Sequence, residues 1–413
     1  MAEDLARTKS PPRVMGGLWL MFFLLGMSVG FYVPTMTNIM SARGLGSQLI
    51  QWAWLAGPVA SLLSPVAVGA LADNRFAAQR VLGWAGVISA ALLAAAFACL
   101  DSNLSPWWFV VLLFSSSIVA APLWSTLASV SMFHLTQGER EFPLVRLGGT
   151  IGWMLAGFLT SWVLGADTSP VAGYAGALIR LLGGFVAFTL PDTPPPGRSR
   201  SWRTLMGFDA FRLLKERDHC VFFSATALLS IPLAAFYMWT PKHLADLGDA
   251  KPTWTMAFGQ FSEIAAMLLM VSLMTRFRVK TLLLAALALS ALRYGLFAWS
   301  GATGSMVGMW IGVAIHGMCY TFYFITAQMF LDRRVPLRVR SQAQGLLSLF
   351  SNGIGTLIGT IVVRHLYDLM VAGDPGGWTP YWSILGGMIV LITLGFAFFY
   401  VGVGAGDHSR KAP

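Results

Sequence analysis

One carboxylate stands in the middle of an apolar run: Glu263, within WTMAFGQFSEIAAMLLMVSLM, residues 254–274. A bare charge at bilayer depth costs about 3 kcal/mol or more, so such a residue has a purpose or a partner. Gln260 lies one helical turn earlier on the same face, since positions i and i+3 are neighbours. A carboxyl in that setting can carry a proton while neutral and release it when a partner arrives. The alternative is a static, hydrogen-bonded structural group. A second constellation lies in FPLVRLGGTIGWMLAGF, residues 142–158, where Arg146, Thr150 and Trp153 fall at i, i+4 and i+7 on one stripe. A cation, a hydroxyl and a ring on one stripe suit a polar, ring-bearing ligand, unless Arg146 reaches out to the membrane interface. In GVAIHGMCYTFYFITAQMF, His316, Tyr320 and Phe324 follow at i, i+4 and i+8, nearly one face, where His316 is either a ligand contact or a packing residue. Pro232 permits a kink before Tyr237 and Trp239. Pro122 can do the same beside Trp124.

These residues must be carried by membrane helices. The 413 residues are 56% hydrophobic and 11% charged, with a mean hydropathy of +0.66. That is about half the charge of a soluble domain. Apolar runs near the ~20 residues of a spanning helix recur at about 14–35, 49–72, 81–100, 106–130, 144–165, 171–191, 219–240, 253–275, 280–299, 304–330, 341–363 and 380–403. Twelve runs predict an all-α polytopic membrane protein and leave no room for a soluble catalytic domain. The first is long enough to be retained as a helix. Loops after the second, fourth, sixth, eighth and tenth runs carry sixteen Lys or Arg, from Arg75 to Arg340. The intervening loops carry four, Arg43, Lys242, Lys251 and Arg364. The positive-inside rule then places both termini and the long central loop in the cytoplasm. The same asymmetry accounts for the net charge of +10 without nucleic acid.

The runs divide six plus six. The expected organisation is an N-terminal six-helix half, 1–191; a cytoplasmic linker, 192–218; a C-terminal half, 219–403; and a cytoplasmic tail, 404–413. The linker starts Pro-rich and basic, and then Leu205, Phe208, Phe211 and Leu214 recur every three residues between Arg203, Arg212 and Lys215. That pattern predicts a short amphipathic helix on the membrane surface. Two six-helix halves joined in the cytoplasm are the layout of the major facilitator fold, whose substrate site lies near the midplane between the halves. GALADNRFAAQR, residues 69–80, resembles that superfamily's signature loop. It makes Asp73, with Arg75 and Arg80, either a gating latch or an ordinary polar turn. Gly148, Gly149 and Gly152 read as close helix packing.

Enzyme chemistry finds no foothold. The six histidines are scattered, and no span pairs a serine with a base. Cys99, Cys220 and Cys319 are far apart and form neither a metal pattern nor a disulfide framework. No metal or cofactor is called for. Two intramembrane cations stay unassigned: Arg293, beside Tyr294, could pair internally, and Arg180 has no partner legible in the sequence.

Several segments together, FPLVRLGGTIGW, SWRTLMGFDAF, QFSE at 260–263, LRYGLFAW at 292–299 and RSQAQGLLSLFSNGIGTLIG at 340–359, resemble the nucleoside:proton symporters of the major facilitator superfamily. The likeness runs from the first span to the last. It implies that Arg146, Thr150, Gln260 and Glu263 contact a nucleoside, with Glu263 coupled to the proton. It implies that Trp153 and Tyr320 stand at aromatic positions of that site, with Tyr237 and His316 on its binding face. The expected partners are a nucleoside, a proton and the lipid bilayer, and the expected state is a monomer in a bacterial cytoplasmic membrane. The chain departs from the family at Ala234 and Tyr237, where a Gln and an Asn are usual. It departs also at His316 for Tyr, Thr321 for Asp and Ala128 for Asn. A site that loses hydrogen-bonding groups changes its preferences sharply, so uridine, a purine nucleoside, a sugar or another polar glycoside, and a non-transporting sensor role, all stay open.

Overall fold

A computed structural model describes residues 9–71, 76–102, 104–194, 208–335 and 340–402. Every regular element among them is helical. Contacts within the chain gather it into two units, Met1–Ser199 and Arg200–Pro413.

The first unit contains α1 (Pro12–Tyr32), α2 (Met36–Ala42), α3 (Ser47–Leu71), α4 (Ala78–Asp101), α5 (Trp107–Ala120), α6 (Leu123–His134), α7 (Gly138–Phe158) and α8 (Val171–Ala187). Pro12 opens α1, where its missing N–H costs nothing. Pro122 sits at the break between α5 and α6, where the sequence places a kink. Helices α1 and α7 meet through small residues. A Cβ at Gly152 would overlap the Phe23 carbonyl, and one at Gly148 would lie 2.6 Å from the Trp19 carbonyl. This close approach is what the glycines of α7 provide, and it lets backbones pack without a hydrophobic force between helices. Leu18, Phe22 and Leu25 of α1 pack with Leu123, Leu127 and Val130 of α6 and with Val145 of α7.

The second unit contains α9 (Arg217–Asp246), α10 (Pro252–Arg276), α11 (Val279–Thr303), α12 (Met306–Ala314), α13 (His316–Tyr320), α14 (Thr326–Arg334), α15 (Arg340–Ser348), α16 (Thr356–Met370) and α17 (Trp378–Phe399). Helix α9 keeps Pro232 and Pro241 inside it. The run at 304–330 is not one regular helix. It breaks at Ile315 and widens into a π-helical turn at Thr321–Ile325, and a second such turn, Leu349–Gly355, separates α15 from α16. Widened turns of this kind often occur at functional sites, because they redirect side chains without breaking the backbone ladder.

Large apolar side chains face outward on many of these helices, including Trp84, Leu178, Leu268, Leu391 and Phe398. A lipid environment satisfies such a surface, and water does not. Among the described residues, nine helical segments are long and apolar enough to cross a membrane, and Val171–Ala187 is apolar but shorter. The sequence places a short amphipathic helix in the second part of the linker, of which residues 208–218 are described. Its described part is a 3₁₀ helix, Phe208–Lys215, and residues 195–207 lie outside the described residues. An apolar repeat of three fits three residues per turn better than 3.6.

Candidate functional site

In the first unit, α7 carries Arg146, Thr150 and Trp153, all half-buried. The Arg146 guanidinium carbon stands 5.7 Å from the centre of the Trp124 ring. The charge therefore rests against an aromatic face supplied by α6, a contact of about 0.5–2 kcal/mol. Trp124 occupies that place because the break at Pro122 starts α6 anew one residue earlier.

The unassigned Arg180 is also explained here. It is buried on α8 and donates to three hydroxyl groups: Nε to Ser28 at 3.2 Å, Nη1 to Ser116 at 3.3 Å and Nη2 to Tyr32 at 3.2 Å. Ser28 passes its own hydrogen to the Gly176 carbonyl, 2.8 Å away, and Ser116 passes its hydrogen to the Ser89 carbonyl at 2.7 Å. Arg180 thus anchors a polar seam through α1, α4, α5 and α8. Of the expected latch, Asp73 and Arg75 lie outside the described residues, and Arg80 is exposed at the start of α4.

In the second unit, α10 presents Gln260, buried, and Glu263, half-buried, one turn apart. Helix α13 presses on that turn. A Cβ on Gly317 would overlap the backbone nitrogen of Glu263, and one on Gly259 would lie 3.3 Å from the His316 ring. From α9, the Tyr237 hydroxyl lies 3.2 Å from His316 Nε2 and within electrostatic reach of Glu263, Tyr320 and Arg293. The ring of Tyr320 sits 6.2 Å from His316 and 5.1 Å from Phe324, so the stripe expected of these three residues is present. The residues brought together here are thus Tyr237, Glu263, His316 and Tyr320, with Gln260 on the adjoining turn.

Two partners escaped the sequence. Arg293, on α11 and 2% exposed, hydrogen-bonds His316 Nδ1 and lies 4.6 Å over the Phe236 ring and 4.9 Å over Tyr294. Phe236 itself stacks on His316, with centroids 4.0 Å apart. The available signal was the depth of Arg293 in its span. The departures also have clear settings. Ala234 is buried against Gly359, while Thr321 is buried with a hydroxyl oxygen that has no hydrogen-bond partner among the described residues.

A many-helix membrane scaffold in which one unit gathers a carboxyl, an amide and aromatic hydroxyls offers binding groups for a polar solute. The sequence matches the nucleoside H+ symporter family over residues 14–402, and the chain belongs to that family. It is 32% identical over 380 residues to YegT of Escherichia coli (strain K12), a protein assigned by name to nucleoside transport; 87% of this chain and 88% of that protein are covered. It is 25% identical over 356 residues to the nucleoside permease NupG of the same organism, covering 82% and 84%. A crystal structure of a point mutant of the nucleoside transporter NupG superposes with a TM-score of 0.84 at 23% identity. It covers 94% of this chain and all of that one, and it shows the shared fold. The chain is a multi-pass membrane protein with a transporter's fold, and its relatives are permeases, not enzymes.

Proposed function

We propose that the protein imports nucleosides together with protons across a bacterial cytoplasmic membrane by alternating access, as a monomer. Family membership supports the nucleoside and the proton. Glu263 is the proton-coupling carboxylate. The observation that carries this reading is its setting: a half-buried acid on α10, pinned by α13 and within electrostatic reach of the Tyr237 hydroxyl. Gln260 and Glu263 pair naturally with ribose hydroxyls, Trp153 and Tyr320 with the flat base, and Arg146, Thr150, Tyr237 and His316 complete the contacts. Asp73, Arg75 and Arg80 act as the cytoplasmic latch.

The topology that goes with this function has twelve spans. It takes the nine long apolar segments and adds Ser47–Leu71, Val171–Ala187 and Pro252–Arg276. The halves, 1–191 and 219–403, reorient in turn, and both termini and the linker lie in the cytoplasm. The losses at Ala234 and Thr321 favour a second reading, in which the same machine carries another polar solute such as a sugar or glycoside.

Uptake of labelled uridine and adenosine into proteoliposomes, with and without an inward proton gradient, tests the proposal. Gradient-driven accumulation should disappear in Glu263→Gln while exchange of nucleoside across the membrane persists. Concentrative uptake that survives this substitution removes the proton role from Glu263. A folded native protein that moves neither nucleoside shifts the reading to the other polar solutes.

A further inference from the structure

Arginine has five donors and no acceptor, and it stays charged in proteins. In its contact with His316 Nδ1 the guanidinium must therefore donate, and Nδ1 must offer its lone pair. An imidazolium there would set two cations face to face with no proton-free nitrogen between them. The ring of His316 is accordingly neutral, with its hydrogen on Nε2. That nitrogen lies 3.2 Å from the Tyr237 oxygen, so Nε2–H donates to Tyr237. The phenol then keeps its own hydrogen for a further acceptor.

The surroundings hold this arrangement rigidly. Phe236 stacks on the imidazole at an interplanar angle of 21°, and the Arg293 guanidinium carbon lies 4.6 Å from the centre of the same Phe236 ring. His316 opens α13 directly after the break at Ile315, and Gly317 locks that helix to the backbone at Glu263. Arg293 and His316 also line a cavity of about 10 Å³ with Ser290 and Tyr320, room for about one water. Arg293 Nε, buried without an acceptor among the described residues, can be satisfied by such a water.

We propose that Arg293 is a positioning residue that fixes the tautomer of His316 and so commits the Tyr237 hydroxyl to donating outward, to the substrate or to the Glu263 carboxylate. The direction of the chain is Arg293 to His316 to Tyr237 to acceptor. A solute reaching Tyr237 is then selected for an acceptor at that point, a carbonyl oxygen or an unprotonated ring nitrogen of a base, in preference to an N–H. This rests on reading the Tyr237–Glu263 neighbourhood as the transport site.

The test uses full-length protein in nanodiscs, labelled with ¹⁵N-histidine, with His316 assigned by its loss in His316→Gln. Nδ1 should resonate as an unprotonated, hydrogen-bonded nitrogen and Nε2 as a protonated one. A protonated Nδ1 overturns the proposal. Arg293→Lys keeps a cationic donor and should retain the pattern, whereas Arg293→Met should move the Nδ1 resonance; an unmoved resonance also overturns it. In uridine exchange, Tyr237→Phe should raise KM about tenfold, the loss of one hydrogen bond, with the maximal rate changed much less. Arg293→Met should raise KM comparably, and the double variant should be no worse than Tyr237→Phe alone. Effects that multiply to about a hundredfold refute the shared chain. If the native protein exchanges no uridine, uridine is not its substrate, and the resonance pattern, which needs no transport, still decides this one.

Discussion

Gly317 lies so close to Glu263 that a methyl group on the glycine would occupy the space of the Glu263 backbone nitrogen. The contact fixes where the carboxylate's helix turn stands relative to His316 and Tyr320. It also explains why the irregular helix α13 is held firmly despite being five residues long.

Gly317→Ala should therefore lower stability by about 1–3 kcal/mol, the range for overpacking a tight contact. Thermal unfolding in detergent reads this directly. Gly345, where an added Cβ meets nothing within 4 Å, serves as the control, and Gly345→Ala should unfold close to the native temperature. Equal midpoints for both variants would show that α13 has slack at Glu263.

Glu263, Gln260 and the Arg146 stripe were legible because each concerns residues within one helix, where spacing fixes the face. The His316–Arg293 bond was not, because it joins α13 to α11, 23 residues away in sequence. No periodicity within a helix reports what the next helix supplies. The break at Ile315 and the π turn at Thr321–Ile325 were equally silent. No proline marks either, and the apolar run continues through both. The same limit hid the three hydroxyl acceptors of Arg180, which come from two other helices. By contrast, the break at Pro122 announced itself by chemistry.

Arg180 gives a prediction that separates stability from transport. Removing a buried cation often costs nothing when its neighbours are not stranded. Here Ser28 and Ser116 keep their own carbonyl acceptors after Arg180 is lost. Arg180→Met should therefore unfold at or above the native temperature. A clear fall in the midpoint would mean that the seam depends on the charge itself.

The start of α1 is tied down from within the first unit. Glu141 accepts from the Ser10 backbone N–H at 2.9 Å, from the Ser10 hydroxyl at 2.6 Å and from the Gln137 N–H at 3.1 Å. Glu141→Ala removes all three bonds together. Hydrogen exchange should then speed up in peptides covering residues 9–15 and 136–141, with α8 unchanged. Exchange that stays slow at Ser10 would show that the segment is held by packing alone.

The cysteines supply a direct measurement of sidedness. Cys99 and Cys319 are buried, and Cys220 is exposed three residues into α9, beside the exposed Arg217. A thiol at that helix end meets water at the membrane surface, whereas the other two are shielded by neighbouring helices. A membrane-impermeant maleimide should label Cys220 and leave Cys99 and Cys319 untouched in the folded protein. If the linker and termini lie in the cytoplasm, labelling occurs in inside-out vesicles and fails in intact spheroplasts. Cys220→Ser should abolish the signal and confirm its source. Labelling from the outside of spheroplasts would invert the topology, and with it the assignment of the basic loops to the cytoplasmic face.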